Sequence, residues 1–379
     1  MLSLLALARR ELGGALLTST GRKTLVPNAV TTSMAADAAD VPSVISETLD
    51  TITTTVSSGV TSVVNFVVGV SPSPSSPGTA LGFGGQPSLV MALGVLALGQ
   101  LTGIDVTNAI APAATSTSPP AALTLGLNVT KTEYDGMAVY EIASSDPSGE
   151  YVVAIHGGAY VGEPSIVHWL SYTSMVRATN ATVVVPIYPQ IGDGGNAATV
   201  VPEMADLISQ EISQYGARNV SVIGDSAGGG LALAAVELMV SQNMQVPKSL
   251  VLVSPWLDVT MSNPAIAAVD DPVLKQAGLV QNGLSWAGDL SATDPLVSPL
   301  YGSLAGLPPT YVYAGSEDLL SPDVLVLQKK AIAQGAPISF ILRSGEIHDW
   351  ALLPILDGGQ VQDQIYQELG LMAGVTTLP

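Results

Sequence analysis

The sequence contains no cysteine and few cationic side chains, and both shortages narrow the range of functions. Without cysteine, the chain has no disulfide, no thiolate nucleophile and no cysteine ligands for zinc or an iron–sulfur cluster. Its 12 Lys and Arg residues stand against 31 Asp and Glu residues, which gives a formal net charge of −19. This excess of negative charge argues against nucleic-acid binding, because a phosphate backbone is bound mainly through cations.

Histidine and charge of either sign are also scarce. The three histidines, His156, His168 and His348, are too few for a multi-histidine metal site, and we predict neither a metal nor another cofactor. Only 11% of the residues are charged, compared with about 25% in an ordinary soluble domain. Much of the surface must therefore consist of small, hydroxylated or apolar side chains.

The shortage of charge is greatest in the first third of the chain. Residues 24–130 contain no Lys or Arg. Two stretches rich in Pro and Ser, 71–87 and 112–120, interrupt the apolar patches of this region. Each patch is shorter than the roughly 18 to 20 residues that a membrane-spanning helix needs. We predict an N-terminal region, residues 1–120, that serves as a cap, a targeting element or a lipid contact, followed by a catalytic domain, residues 121–379.

The N-terminal residues bear on localisation. The basic pair Arg9 and Arg10 follows the first apolar run instead of preceding it, so we predict no signal peptide. Richness in Ser, Thr and Ala resembles exported proteins, and we expect export or contact with a membrane or the cell envelope through residues 1–120. A cytoplasmic location stays open, and the sequence predicts no oligomeric state.

From residue 121 onward, short apolar runs alternate with helical patterns. Most of the runs are apolar on both faces, which is typical of buried parallel strands. This alternation predicts an α/β fold, with a mostly parallel central sheet and helices on both faces. The predicted strands are 123–131, 137–142, 152–155, 181–185, 220–223, 249–253, 310–314 and 338–342, and the predicted helices are 201–215, 227–240, 322–334 and 360–372.

A serine lies in a tight turn between a predicted strand and a predicted helix. The turn consists of Gly224, Asp225, Ser226, Ala227 and Gly228, a G-x-S-x-G motif. In this context the small flanking residues permit a sharp turn that lifts the serine hydroxyl above the sheet. Ser226 is the predicted nucleophile. An ordinary glycine-rich turn is one alternative, and the G-D-S-G-G string of chymotrypsin-like proteases, which Ala227 interrupts, is another.

A serine nucleophile needs a base to remove its proton. His348 follows the last predicted strand, where a loop returns to the carboxyl edge of the sheet, and it is the predicted base. His168 stands beside Trp169 at a predicted helix start, and we expect it on the surface or in a packing role.

The base in turn needs an acid that orients it. Asp318 follows the strand 310–314 at the same edge of the sheet and is the predicted acid. Asp323 is the runner-up and Glu317 is less favoured. The resulting order of serine, acid and histidine along the chain matches that of α/β-hydrolases.

The carbonyl oxygen of a substrate also needs hydrogen-bond donors when it becomes an anion. The strand 152–155 is followed by His156, Gly157 and Gly158. Because the two glycines have no side chain, their backbone N–H groups are accessible to a substrate. We predict the amides of Gly157, Gly158 and Ala227 as donors, while His156 shapes the loop.

Taken in order, the strings HGGAY, GDSAGG and SED and the final histidine resemble the hormone-sensitive-lipase-like branch of the α/β-hydrolases. The resemblance covers about residues 134–369. It implies an α/β-hydrolase fold and a carboxylic ester hydrolase with a covered, apolar acyl pocket. Relatives usually have a third glycine where Ala159 stands, and we expect this difference to narrow the loop.

The leading hypothesis is therefore a serine esterase or lipase that acts on a small-molecule ester or a lipid. Two alternatives stay open: a ligand-binding protein that keeps the hydrolase scaffold without catalysis, and an amide or peptide hydrolase with the same triad. No motif predicts the length of the acyl chain.

Overall fold

The computed structural model of the chain describes residue 83 and residues 115–352 and 358–372. Most of the predicted N-terminal region lies outside these described residues. The division of the chain at residue 120, and the roles expected of residues 1–120, therefore stay predictions.

One sheet of eight strands forms the centre of the described fold, in the order β1-β2-β4-β3-β5-β6-β7-β8. The ladder is antiparallel where β2 meets β1 and β4, and parallel everywhere else. The predicted α/β fold with a mostly parallel sheet is confirmed. The strands are β1 Asn128–Tyr134, β2 Met137–Ala143, β3 Tyr151–Ile155, β4 Thr182–Ile187, β5 Val220–Asp225, β6 Leu250–Val253, β7 Thr310–Glu317 and β8 Ile338–Ile347.

The first strand differs most from its prediction. We expected it over residues 123–131, but it begins at Asn128. The preceding residues turn instead: the amide of Leu127 donates to the carbonyl of Thr124, and Gly126 has a φ of +76°. Leucines in this stretch imitate a buried strand, whereas β1 itself is almost wholly exposed. An edge strand of this kind carries little of the apolar signal that marks buried strands.

Six α-helices accompany the sheet in the described residues. The sequence predicted the second, third, fifth and sixth of them, with ends within a few residues. It predicted only the start of the first, near His168, and it did not predict the fourth. They are α1 Ile166–Thr179, α2 Ala197–Tyr215, α3 Ser226–Ser241, α4 Gln276–Ala287, α5 Ser321–Gln334 and α6 Gly358–Glu368.

Helices cover both faces of the sheet, as the sequence predicted. Alternate residues of a strand point to opposite faces. In β5, Val222 joins an apolar cluster with Leu207 of α2 and Leu233 of α3. Its neighbour Ser221 faces the other way and donates a hydrogen bond to the carbonyl of Leu369, at the end of α6.

The described residues contain neither a candidate membrane span nor a candidate metal site. None of the helices placed there is long and apolar enough to cross a membrane. Within the same residues, no group of three or more potential ligands is arranged to hold a metal ion. The polar groups that do converge lie at the carboxyl ends of β3, β5, β7 and β8, the edge where α/β folds commonly build their sites.

Candidate active site

Ser226 occupies a strained turn between β5 and α3. Its φ is +52°, in the left-handed region that non-glycine residues rarely adopt. A Cβ atom at Gly224 would overlap the carbonyl of Gly228, and one at Gly228 would overlap the carbonyls of Ile155 and His156. The turn can therefore close this tightly only with glycine on both sides of the serine.

His348 meets the hydroxyl of Ser226 on one side and a carboxylate on the other. Its Nε2 lies 2.9 Å from Ser226 Oγ, and its Nδ1 lies 3.1 Å from Asp318 Oδ2. All three residues are buried. Because the Asp318 carboxylate accepts, Nδ1 carries a proton, and in the neutral form of the imidazole the lone pair of Nε2 faces the serine hydroxyl. The structure thus brings together the three residues that the sequence singled out.

The loop that carries Asp318 is held by a second carboxylate. Asp318 is wholly buried, and its Oδ1 accepts the amide of Leu320 at 2.9 Å. Asp271, which the sequence analysis did not single out, accepts the amide of Leu319 at 2.8 Å. Burial raises the pKa of Asp271, and the nearby Asp318 raises it further. These bonds fix the orientation of Asp318 towards His348.

The alternative acids lie elsewhere. Asp323 is buried and accepts a hydrogen bond from Asn263 Nδ2 at 2.9 Å. Glu317 ends β7 with an exposed side chain. Among the described contacts, neither carboxylate touches His348.

The loop after β3 lies directly on the nucleophile turn. A Cβ atom at Gly157 would overlap Asp225 Oδ2, which explains the glycine at this position. The Gly157 amide donates to that same oxygen at 3.0 Å. This amide is one of the predicted oxyanion donors, and in the structure its bond to Asp225 holds the loop in place.

The backbone amides of the other two predicted donors, Gly158 and Ala227, differ from that of Gly157 in their hydrogen bonds. The amide of Gly158 has no hydrogen-bond partner among the described residues, while its carbonyl accepts the amides of Val161 and Gly162. Ala227 lies in the first turn of α3, where an N–H group has no partner within the helix. Ala159 adopts a φ of +53°, at a cost of about 1 kcal/mol relative to glycine. The loop therefore keeps a glycine-like backbone at the position where relatives usually have glycine.

His156 is packed into this loop. Its ring is stacked on Tyr188, with 4.5 Å between centroids, and its Nδ1 lies 2.7 Å from the Gly157 carbonyl, to which it donates. Burial lowers the pKa of His156 to about 3. The imidazole is thus neutral near pH 7, and its contacts are those of a residue that shapes the loop.

The expectation of a surface or packing position for His168 was incomplete. The residue is buried, and its Nε2 lies 2.9 Å from Asp225 Oδ2. Its Nδ1 accepts the backbone amide of Ser165 at 2.8 Å. Burial lowers the pKa of His168, but the Asp225 carboxylate more than reverses this and the net direction is upward. Because a backbone N–H can only donate, Nδ1 accepts and Nε2 carries the proton.

A further carboxylate, Asp349, lies beside the histidine that it follows in sequence. Its Oδ2 is 3.2 Å from Nε2 of His348. Asp349 was not predicted as a site residue, because the side chains of adjacent residues usually point in different directions. Here a left-handed backbone, with a φ of +58°, turns the carboxylate back towards the imidazole.

Known proteins of the same family are similar to this chain in sequence. A family model described as the alpha/beta hydrolase fold matches residues 152–352. A triacylglycerol lipase of Mycobacterium tuberculosis is 54% identical over 258 residues, which cover 68% of this chain and 55% of the lipase. This chain thus matches about half the length of that relative. An esterase of Acinetobacter venetianus is 30% identical over 219 residues, or 55% of this chain and 70% of the esterase.

Solved structures give the same fold. A candidate esterase of Staphylococcus aureus superposes with a TM-score of 0.63 and 29% identity, over 67% of this chain and 87% of that one. An esterase/lipase from an uncultured bacterium superposes with a TM-score of 0.60 and 24% identity, over 70% of this chain and 90% of that one. The chain belongs to the α/β-hydrolase family, as its motifs predicted.

Proposed function

We propose that this chain is a serine carboxylic ester hydrolase whose acyl-enzyme forms on Ser226. The observation that carries the proposal is the line of hydrogen bonds from Ser226 to His348, 2.9 Å, and from His348 to Asp318, 3.1 Å. A serine hydroxyl is a poor nucleophile until a base takes its proton, and this line supplies the base and its orientation. The names of the related lipase and esterase support the same activity.

In the first half-reaction, Ser226 Oγ attacks the ester carbonyl while its proton moves to His348 Nε2. Asp318 stabilises the resulting imidazolium through Nδ1–H. The carbonyl oxygen becomes an anion, for which we propose the amides of Gly158 and Ala227 as donors, because the Gly157 amide is engaged by Asp225. Collapse of this intermediate breaks the ester bond, and the leaving alcohol takes the proton from Nε2.

In the second half-reaction, a water molecule gives its proton to Nε2 and attacks the acyl-enzyme. The same donors stabilise the second oxyanion, and the proton returns to Ser226 as the carboxylic acid leaves. This scheme uses no cofactor or metal.

The substrate that fits this scheme best is an uncharged ester with an apolar acyl chain. Val161 and Ile166, in the segment that follows the oxyanion loop, are 47% and 46% exposed. Large apolar side chains near a site favour apolar substrates over charged ones. The relative named as a triacylglycerol lipase supports an acylglycerol as the ester. Lipid contact through residues 1–120 and export to the cell envelope accompany this proposal as expectations.

The test is Ser226→Ala in the full chain, with Ser241→Ala, an exposed serine on the same helix, as the matched control. We expect S226A to lose at least about 1,000-fold in hydrolysis of p-nitrophenyl butyrate, because no other group replaces the nucleophile. S241A should keep native turnover. A fluorophosphonate should label the native protein and S241A, but not S226A.

Other results would favour the alternatives. Undiminished turnover in S226A, with native-like thermal unfolding, would remove the proposed nucleophile. A native protein that neither hydrolyses esters nor accepts the fluorophosphonate would be a ligand-binding scaffold, and one that cleaves only acyl-amides would be an amide hydrolase. A series of esters from butyrate to palmitate then defines the preferred acyl length.

A further inference from the structure

The imidazole of His348 lies between two carboxylates, although a base of the proposed kind needs only one. Asp318 Oδ2 is 3.1 Å from Nδ1, and Asp349 Oδ2 is 3.2 Å from Nε2. Nε2 is the nitrogen that also contacts Ser226 Oγ, at 2.9 Å. The second carboxylate therefore faces the nitrogen through which the proton moves.

The backbone holds Asp349 in this position. Its φ of +58° is left-handed, a conformation that aspartate tolerates better than most residues. The Asp349 amide donates to Ser254 Oγ at 3.0 Å, and Ser254 is itself wholly buried with a φ of +45°. Two adjoining loops thus adopt strained backbones that place the carboxylate against the imidazole.

We propose that Asp349 is a positioning residue that acts through His348, where its carboxylate stabilises the imidazolium on the Nε2 side and sets the pH above which His348 serves as a base. The inference rests on the proposed function, because it concerns the same proton transfer.

The charges around His348 support this role. Burial lowers the pKa of His348, but the carboxylates of Asp349, Asp318 and Asp271 more than reverse this, and the net direction is upward. Asp349 has the largest raising effect of the three. A base whose proton is held this firmly becomes available only above the ordinary pH range of histidine.

The surroundings of Asp349 point in the same direction. Burial raises the pKa of Asp349, His348 and His168 lower it, the carboxylates of Asp225 and Asp318 raise it, and the net direction is upward. Two interacting groups at this distance titrate as a pair, and each proton belongs to the pair and not to one residue. The pair therefore retains a proton that an isolated imidazole would have lost.

Removing the charge of Asp349 should have two opposed effects. The imidazolium loses a neighbouring anion, so His348 gives up its proton at a lower pH and is available as a base in weakly acidic solution. The same loss makes the imidazolium harder to form during the reaction, so the maximal rate falls. The pH profiles of the native protein and of the variant should therefore cross, whereas a purely structural defect would lower activity at every pH.

The experiment compares Asp349→Asn with the native full chain, measuring kcat/KM for p-nitrophenyl butyrate from about pH 5 to pH 10. Asparagine keeps the size of the side chain, and the backbone bond to Ser254 is unaffected. We expect the acidic limb of the D349N profile to shift to lower pH by about one pH unit or more. The variant should be faster than the native protein near pH 6 and slower near pH 9. Asp270→Asn, an exposed charge removal nearby, is the matched control and should leave the limb in place.

An unmoved acidic limb, or a uniform loss of activity at all pH values, would overturn the role of Asp349. The rate of fluorophosphonate labelling, measured over the same pH range, separates this failure from a failure of the proposed function. A native protein that is not labelled contradicts the function itself, whereas labelling with an unshifted limb contradicts only the inference. If D349N unfolds, Asp349→Ser removes the same charge with a smaller side chain, and the expected shift is the same.

Discussion

Two buried histidine–aspartate pairs in the described part of the chain have nearly equal geometry but different character. In one, His348 lies 3.1 Å from Asp318. In the other, His168 lies 2.9 Å from Asp225. The difference is on the other side of each ring. Nε2 of His348 contacts the Ser226 hydroxyl at 2.9 Å, whereas Nδ1 of His168 accepts the backbone amide of Ser165 at 2.8 Å and also lies 2.7 Å from the hydroxyl of the same residue. Because the peptide N–H already occupies the lone pair of Nδ1, this nitrogen is not free to take a proton from the Ser165 hydroxyl.

The comparison teaches that a carboxylate partner alone does not make a histidine a base. The second nitrogen must also keep a lone pair that is free to accept a proton from a hydroxyl. His168 is fixed in one tautomer by its backbone partner, so its pair with Asp225 serves to hold the loop of Gly157 in place. We expect substitutions in the two pairs to affect catalysis to very different extents.

The largest effect should come from Asp318→Asn. An asparagine amide can donate to Nδ1 and thereby leave the imidazole proton on Nε2, where it blocks transfer from Ser226. We expect kcat for p-nitrophenyl butyrate to fall by about 10⁴-fold, the size of loss that the same change causes in other serine triads.

The control for this change is Asp323→Asn, the same substitution at the other buried aspartate that sequence analysis had considered. Its partner is Asn263 and not His348. D323N should keep kcat within a few-fold of the native value. A loss as large as that of D318N would move the acid to Asp323.

A smaller effect should follow His168→Ala. Without His168, Asp225 loses a donor and the loop of Gly157 is less firmly placed, so the oxyanion donors are misaligned. We expect kcat to fall by about 10- to 100-fold, with a smaller change in KM. Affinity for a boronic-acid transition-state analogue should fall with kcat.

The conservative variant His168→Gln keeps a donor that can reach Asp225 and should recover part of the lost activity. If H168A lost as much activity as D318N, the two pairs would not differ as proposed. If it lost none, the pair with Asp225 would not position the loop.

The smallest effect concerns Glu237, a buried carboxylate with no histidine partner. Both of its carboxylate oxygens lack a hydrogen-bond partner among the described residues. Burial raises the pKa of Glu237 and the nearby Lys330 lowers it, and the net result is a pKa of about 9. A carboxyl whose folded pKa is raised holds its proton in the folded state, so its contribution to stability is full at low pH and is lost as pH rises towards 9. Glu237→Gln should therefore raise Tm at pH 9 by about 3 °C or more and change it little at pH 5.

Thermal unfolding at both pH values measures this difference. Glu133→Gln is the control, because Glu133 is exposed on β1, and it should show no pH-dependent change in Tm. An E237Q variant with equal Tm shifts at both pH values would mean that Glu237 is ionised in the folded protein.

Much of the fold was predictable because its buried strands are apolar on both faces. Val152–Ile155 and Val220–Ile223 were recognised in this way. The nucleophile turn was predictable because only small residues fit around Ser226. Once the strand ends were placed, His348 and Asp318 followed, since parallel strands bring their carboxyl ends to one edge.

The rest depends on contacts that sequence spacing does not contain. His168 and Asp225 are 57 residues apart, and the helix that carries His168 is buried on several sides, so it shows no clear polar face. Asp349 faces His348 only because its backbone is left-handed. The commitment of the Gly157 amide to Asp225 is likewise visible only when both loops are in place.

The shared carboxylate of Asp225 also bears on how this protein could be redesigned. One oxygen atom binds both the loop of Gly157 and the helix of His168, so a change in any one of these three residues disturbs the other two. We therefore expect a substitution at one of these residues to be tolerated only when the other two change with it. The exposed residues Val161 and Ile166 lie outside this constraint. Selection for new ester preferences can therefore explore that short segment while the machinery behind it stays unchanged.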